Sequence, residues 1–63
     1  MTLFDQRVLD VIRRVEKATF NRLAWMTGLT DSVIAQALVN LERYARVVVG
    51  VDAGRKVWRL AST

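Results

Sequence analysis

The sequence predicts an α+β, mostly α, fold in a single domain over 1–63: three helices followed by a C-terminal two-stranded β-hairpin. Three observations predict it. Apolar residues recur at helical spacing through the first quarter of the chain. Thr27-Gly28-Leu29, with Thr30 behind it, has the composition of a tight turn between two helices. From Arg46 onward, β-branched residues at a period of two replace the helical pattern.

The first helix is expected over 3–17. Thr2 and Asp5 stand at capping-box spacing, with Asp where Glu or Gln is usual. Phe4, Val8, Val11, Ile12 and Val15 fall at i, i+4, i+7, i+8 and i+11, which makes one apolar stripe. Leu9 lies beside the stripe and reads as an interface residue. Arg7, Asp10, Arg13, Arg14 and Lys17 lie opposite it and read as a solvated face, where Asp10 can pair with Arg13 or Arg14.

A second helix is expected over 20–26, capped by Thr19, with Leu23 and Ala24 inward. The helical wheel sends Trp25 outward, opposite Leu23; burial against the first helix or the chain end is the alternative. Gly28 supplies the positive φ that ends the helix, and Leu29 is the apolar residue that buries in such a turn. Thr30 caps a third helix over 31–44, and Asp31 in its first turn suits the helix dipole. With Ile34 at the centre of the buried face, Ala37, Leu38 and Leu41 join it. Ser32, Gln36, Val39, Asn40 and Arg43 fall on the opposite face, with Val33 at its edge.

The hairpin is expected over 46–60, with turn chemistry at 52–55. Trp58 and Leu60 share one face, against which Val47, Val49 and Val51 can pack; Val57 and Arg59 share the other. Trp58 reads as a plug between hairpin and helices. Gly50 inside a strand points to a bulge or a close approach. Ala61, Ser62 and Thr63 read as an untethered end.

Composition narrows the function. The 63 residues contain no Cys and no His, which removes disulfides, thiolate metal sites and the commonest general base. The acids are scattered, and no phosphate-binding glycine motif or metal-ligand spacing occurs, so no enzyme, no cofactor and no metal is expected. The apolar content of 52% is high for so small a domain and suggests that some apolar groups face a partner. The net charge of +4 suits a polyanion. No apolar run approaches the ~20 residues of a membrane span. No signal peptide is visible, so a cytoplasmic location is expected. Met1, with a helix cap immediately after it, reads as a natural start.

The order helix, helix-turn-helix, hairpin resembles the winged helix-turn-helix family of small prokaryotic and viral transcriptional regulators. The likeness is carried by Thr19, Leu23-Ala24, Thr27-Gly28-Leu29, Ser32, Ile34, Leu38, Leu41-Glu42, Trp58 and Leu60, and it covers about 4–60. The resemblance implies sequence-specific binding of double-stranded DNA, with the third helix in the major groove and the hairpin, or wing, on the flanking backbone. By position, Ser32, Gln36, Asn40 and Arg43 become base contacts. Arg22, Arg46, Arg55 and Lys56 become backbone contacts. A homodimer on a palindromic operator is expected. The chain departs from the family in carrying Asp31 at the start of the third helix and Arg43 as the lone charge on its reading face. A narrower likeness, to binders of left-handed nucleic acid, is set aside. Those domains pair the last-strand Trp with Asn and Tyr on the third helix and place prolines in the wing. Here Ala35 and Val39 hold the helix positions, and there is no proline. The alternative function is a protein-interaction module, an anti-repressor or adaptor, resting on Trp25, Val33 and Val39, with Val48 and Val57 also left partly outside the face assignments.

Overall fold

A computed structural model describes residues 1–61. Among them lie three helices and three strands: α1 Leu3–Val15, β1 Lys17–Ala18, α2 Phe20–Thr27, α3 Asp31–Arg43, β2 Val47–Asp52 and β3 Arg55–Leu60. The helix-turn-helix and hairpin expected from the sequence are both present. None of these helices is long and apolar enough to cross a membrane.

The expected caps form. The Asp5 amide donates to Thr2 Oγ1, and the Thr2 amide donates back to Asp5 Oδ2, both at 3.1 Å. Thr19 accepts from the Arg22 amide and Thr30 from the Val33 amide. Gly28 takes a left-handed φ of 70° and closes α2 by donating to the Ala24 carbonyl.

α1 ends two residues before the expected boundary. Glu16 adopts φ 73°, ψ −46° while its amide still donates to Ile12, and this turns the chain out of the helix. Lys17 and Ala18 then pair with β3, opposite Arg59 and Trp58. The hairpin therefore belongs to a three-stranded antiparallel sheet ordered β1-β3-β2. A two-residue strand is too short to leave a period in the sequence.

The β2–β3 ladder runs one to one from Val47↔Leu60 to Asp52↔Arg55, so Gly50 marks no bulge. It marks a close approach: a Cβ there would lie 2.7 Å from Arg59 Nη2. Ala53 and Gly54 make the turn with φ of 53° and 78°, the left-handed pair that a two-residue hairpin needs.

The core joins Val8, Leu9 and Ile12 of α1 to Ala18, Leu23, Val47 and four residues of α3: Ile34, Ala37, Leu38 and Leu41. This corrects the reading of α1. Leu9 is 1% exposed and belongs to the core, whereas Phe4, at 49%, lies largely outside it. α1 touches α2, α3 and two strands, so its buried arc is centred on Asp5, Val8, Leu9 and Ile12. Being contacted on several sides rotates that arc away from the stripe the wheel selects.

The sheet also differs from its expected face assignment. Val47 and Trp58 pack against the helices, but Val49, Val51 and Leu60 on the same face are exposed, because the helices cover only part of it. Trp58 is half-buried and meets Phe20 edge-on with centroids 6.3 Å apart. On the outer face Val57 is 4% exposed. The Lys17–Asp52 ion pair, at 2.6 Å, reaches over β3 from the level of Arg59 to that of Arg55 and so crosses Val57. Ala61 is tethered, since its amide donates to the Arg46 carbonyl at 3.0 Å. Ser62 and Thr63, also read as part of a free end, lie outside the described residues.

Candidate nucleic-acid interface

Polar contacts around the turn fix the end of α2, from which the chain leads into α3. Thr27 is buried; its hydroxyl donates to the Leu23 carbonyl at 2.6 Å and accepts from the Leu29 amide at 3.2 Å. The Thr27 carbonyl in turn accepts from Arg7 Nη2 at 2.9 Å. Arg7, expected on a solvated face, thus ties α1 to the end of α2. Of the two partners open to Asp10, Arg13 is the one it meets, at 3.4 Å.

α3 presents Ser32, Ala35, Gln36, Val39 and Arg43 to solvent; Val33 and Asn40 are half-buried. Ser32 sits 3.4 Å from the Thr30 hydroxyl, at the helix start. Asn40 is held inward. Its Nδ2 lies 3.3 Å from each carboxylate oxygen of Asp5 on α1. Its Oδ1 accepts from Gln36 Nε2 at 3.0 Å. Four candidate base contacts therefore divide into three outward side chains and one that bridges two helices. Next to the bridge, Phe4, Val33 and Ala37 line a hollow of about 160 Å³ together with Thr2, Asp5, Gln36 and Asn40.

The candidate backbone contacts are all exposed but lie in different places. Arg55 and Lys56 at the wing tip border an open groove of about 640 Å³ with Thr19, Phe20, Asn21 and Trp58. Arg22, one position beyond Asn21 on α2, is not among the residues lining that groove. Arg46 precedes β2, whose tip end is Asp52; at ~3.3 Å per residue that separates it from the wing tip by roughly 20 Å. It borders a different depression, shared with Arg13 and Leu60. On the sheet's outer face, the hydrogen bond from Lys17, and then its charge, hold the Asp52 carboxyl below the usual carboxylate range. Lys17 is thereby neutralised, while Arg55 and Lys56 make no ion pair among the described residues.

Of the candidate protein contacts, Trp25 is 88% exposed, which decides between its two expected placements. Val39 is exposed and Val33 borders the hollow. Asp5 and Arg7 were not legible as site residues. Each acts on a partner 20 or more positions away, and nothing local in the sequence marks them.

No protein-family model matches the chain, and no curated protein sequence matches it. Several solved structures do. The Zalpha domain of Carassius auratus PKZ, in complex with Z-DNA, is 26% identical with a TM-score of 0.79, covering 90% of each chain. The apo Zalpha domain of zebrafish PKZ is 25% identical with a TM-score of 0.84, covering 92% of this chain and 91% of that one. A DNA-binding protein from Sulfolobus islandicus, 22% identical, matches over 100% of both chains with a TM-score of 0.79, a likeness of fold alone. The chain is a winged helix-turn-helix domain with a β2–β3 wing. The group set aside on sequence thus returns at the level of architecture, while Ala35 and Val39 on α3 still differ from the residues expected of it.

Proposed function

We propose that the domain binds double-stranded DNA in a sequence-specific manner, as a small transcriptional regulator acting as a homodimer. The observation that carries this reading is the layout of α3 and the wing. One face of α3 is wholly buried, the other holds Ser32, Gln36 and Arg43 in solvent, and a hairpin with Arg55 and Lys56 at its tip extends from the same small body. The likeness to Zalpha domains solved in complex with DNA supports it. Ser32, Gln36 and Arg43 face the bases, and Asn40 stands behind them. Arg22, Arg46, Arg55 and Lys56 supply phosphate contacts. The duplex is right-handed, because α3 offers the alanine and valine of Ala35 and Val39 where a left-handed reader has Asn and Tyr. One short helix reads few base pairs, and a two-fold dimer on a palindrome doubles them. A cytoplasmic location accompanies this role.

The test is fluorescence anisotropy against mixed-sequence duplexes over a range of salt, with circular dichroism to report duplex handedness. Each neutralised phosphate steepens the log–log salt dependence by about 0.9. Binding that is flat with salt, or absent from every duplex, sinks the proposal. Complex mass fixes stoichiometry, and one chain per palindromic site removes the dimer.

One observation favours a second reading. Trp25 stands nearly free on α2, beside exposed Met26 and away from the wholly buried Leu23, and a bare Trp is a frequent anchor of protein interfaces. On that reading the domain is an anti-repressor or adaptor, and Val33 and Val39 belong to its contact surface. Trp25→Ala then abolishes partner capture, and the domain itself binds no duplex.

A further inference from the structure

The hydrogen bonds from Asp5 through Asn40 to Gln36 form a chain whose polarity is dictated from its inner end. A carboxylate only accepts. Asn40 must therefore turn its amide nitrogen toward Asp5, as the paired 3.3 Å contacts show. That leaves Asn40 Oδ1 pointing along α3, where it needs a donor, and Gln36 Nε2 meets it at 3.0 Å. The Gln36 amide is then set: one N–H is used, while the other N–H and Oε1 make no hydrogen bond among the described residues, at an exposed helix position. A donor and an acceptor side by side complement the adenine edge in the major groove, where N7 accepts and the N6 amino group donates. Next to this amide lies the hollow of about 160 Å³ lined by Phe4, Val33 and Ala37. Its lining surface is largely apolar, and it has room for a methyl group. The apolar group that A·T pairs place in the major groove is the thymine C5-methyl.

We infer that α3 reads a step containing A·T pairs, with Gln36 on the adenine edge and a thymine methyl in the Phe4–Val33–Ala37 hollow. Asp5 and Asn40 are positioning residues that fix the amide of Gln36. This inference rests on the DNA-binding reading and names its substrate class. It also gives Asn40 a role other than base contact.

The experiment selects sites from a random duplex library and titrates the selected duplex and its single-pair variants by anisotropy, with a mixed-sequence duplex as the non-specific reference. Replacing the central A·T pair by G·C lowers affinity about tenfold or more, the discrimination of one good bidentate contact. Replacing the neighbouring thymine by uracil, which removes only the methyl, lowers it a few-fold. Gln36→Ala abolishes the A·T preference, bringing the selected duplex and its G·C variant to the same affinity. Asn40→Asp, which sets one carboxylate against another, also loses the preference. Combining it with Asp5→Asn restores the preference, since the exchanged pair re-forms the amide-to-carboxylate bond between the helices and keeps an acceptor in place for Gln36 Nε2. Asp5 also closes the α1 capping box, so thermal unfolding of each variant is measured beside its binding. If the Asp5 and Asn40 variants do not fold, Gln36→Ala and the uracil duplex still decide. Selected sites without A·T pairs, or a preference that survives both Gln36→Ala and uracil, overturn the inference and leave DNA binding standing. Failure to bind any duplex overturns the DNA-binding reading itself, and this inference falls with it.

Discussion

The helical half of the molecule and the wing are held by different physics. In the helices, apolar side chains interlock from three sides, and the polar contacts between elements are at least partly buried: Asp5 to Asn40 and Arg7 to the Thr27 carbonyl, with the Thr27 hydroxyl to Leu23 wholly buried. The wing is a two-stranded ladder with Val49 and Val51 in solvent, a strained Ala53 in its turn, and an exposed ion pair across its back. The first arrangement places an amide accurately; the second presents charge cheaply. A domain this small has too little interior to do both everywhere. On the proposed function, discrimination between sequences therefore resides in α3 and its support from α1, and the grip on phosphate resides in the wing.

The largest test of this division is a pair of truncations. Leu41 is fully buried in the core, and Leu41→Ala should cost about 3 kcal/mol. That is enough to leave much of a domain of this size unfolded at 37 °C. Val51→Ala, at the exposed wing, should cost under about 0.5 kcal/mol. Chemical denaturation reads both, and similar losses at the two sites would erase the distinction. Next in size is an affinity effect. Arg55→Ala with Lys56→Ala should weaken every duplex, specific or not, by a similar factor of about ten or more, and flatten the log–log salt slope by about two. The melting temperature should not move. A loss confined to the selected site would transfer reading to the wing.

How much of this could be seen in the sequence follows the same line. Wherever one element satisfies its own groups, the reading held. The Thr2–Asp5 box, the Thr19 and Thr30 caps, the Gly28 terminator and the α3 core face of Ile34, Ala37, Leu38 and Leu41 are all local patterns, and all are present. What escaped depends on neighbours distant in the chain. β1 exists because Lys17 and Ala18 find β3 some 40 positions later. Leu9 is buried because α1 is packed on several sides, and no single-helix wheel contains that. Asn40 looks like a reader on the wheel, but its amide is claimed by Asp5, 35 residues away. Charges at the wing were legible as exposed, yet their grouping was not: Arg55 and Lys56 share a groove with α2, and Arg46 does not.

Ala53 holds φ at 53° beside Gly54 in the turn, and a β-carbon is disfavoured there. Ala53→Gly or Ala53→Asn should therefore stabilise the domain by up to about 1 kcal/mol, read as a rise in denaturation midpoint with an unchanged slope. A loss of stability would mean that the turn draws on Ala53 in some other way.

The smallest effect concerns the ion pair on the back of the sheet. Asp52 titrates below its ordinary value of 3.8, first because of the hydrogen bond from Lys17 and then because of that residue's charge. A carboxyl whose folded pKa lies below its unfolded pKa adds stability above the unfolded value and loses it as pH falls through the folded one. The Lys17–Asp52 contribution is thus complete at neutral pH and disappears only in strong acid. Lys17→Met keeps the aliphatic stem over Val57 but removes the charge. It should return Asp52 to the ordinary carboxylate range in an NMR titration, while leaving neutral-pH stability nearly unchanged, because both partners are exposed and water screens them. If Lys17→Met instead destabilised the domain strongly at pH 7, the wing would depend on electrostatics as heavily as the helices depend on packing. The contrast between the two halves would then be one of charge against apolar contact, with equal rigidity in both.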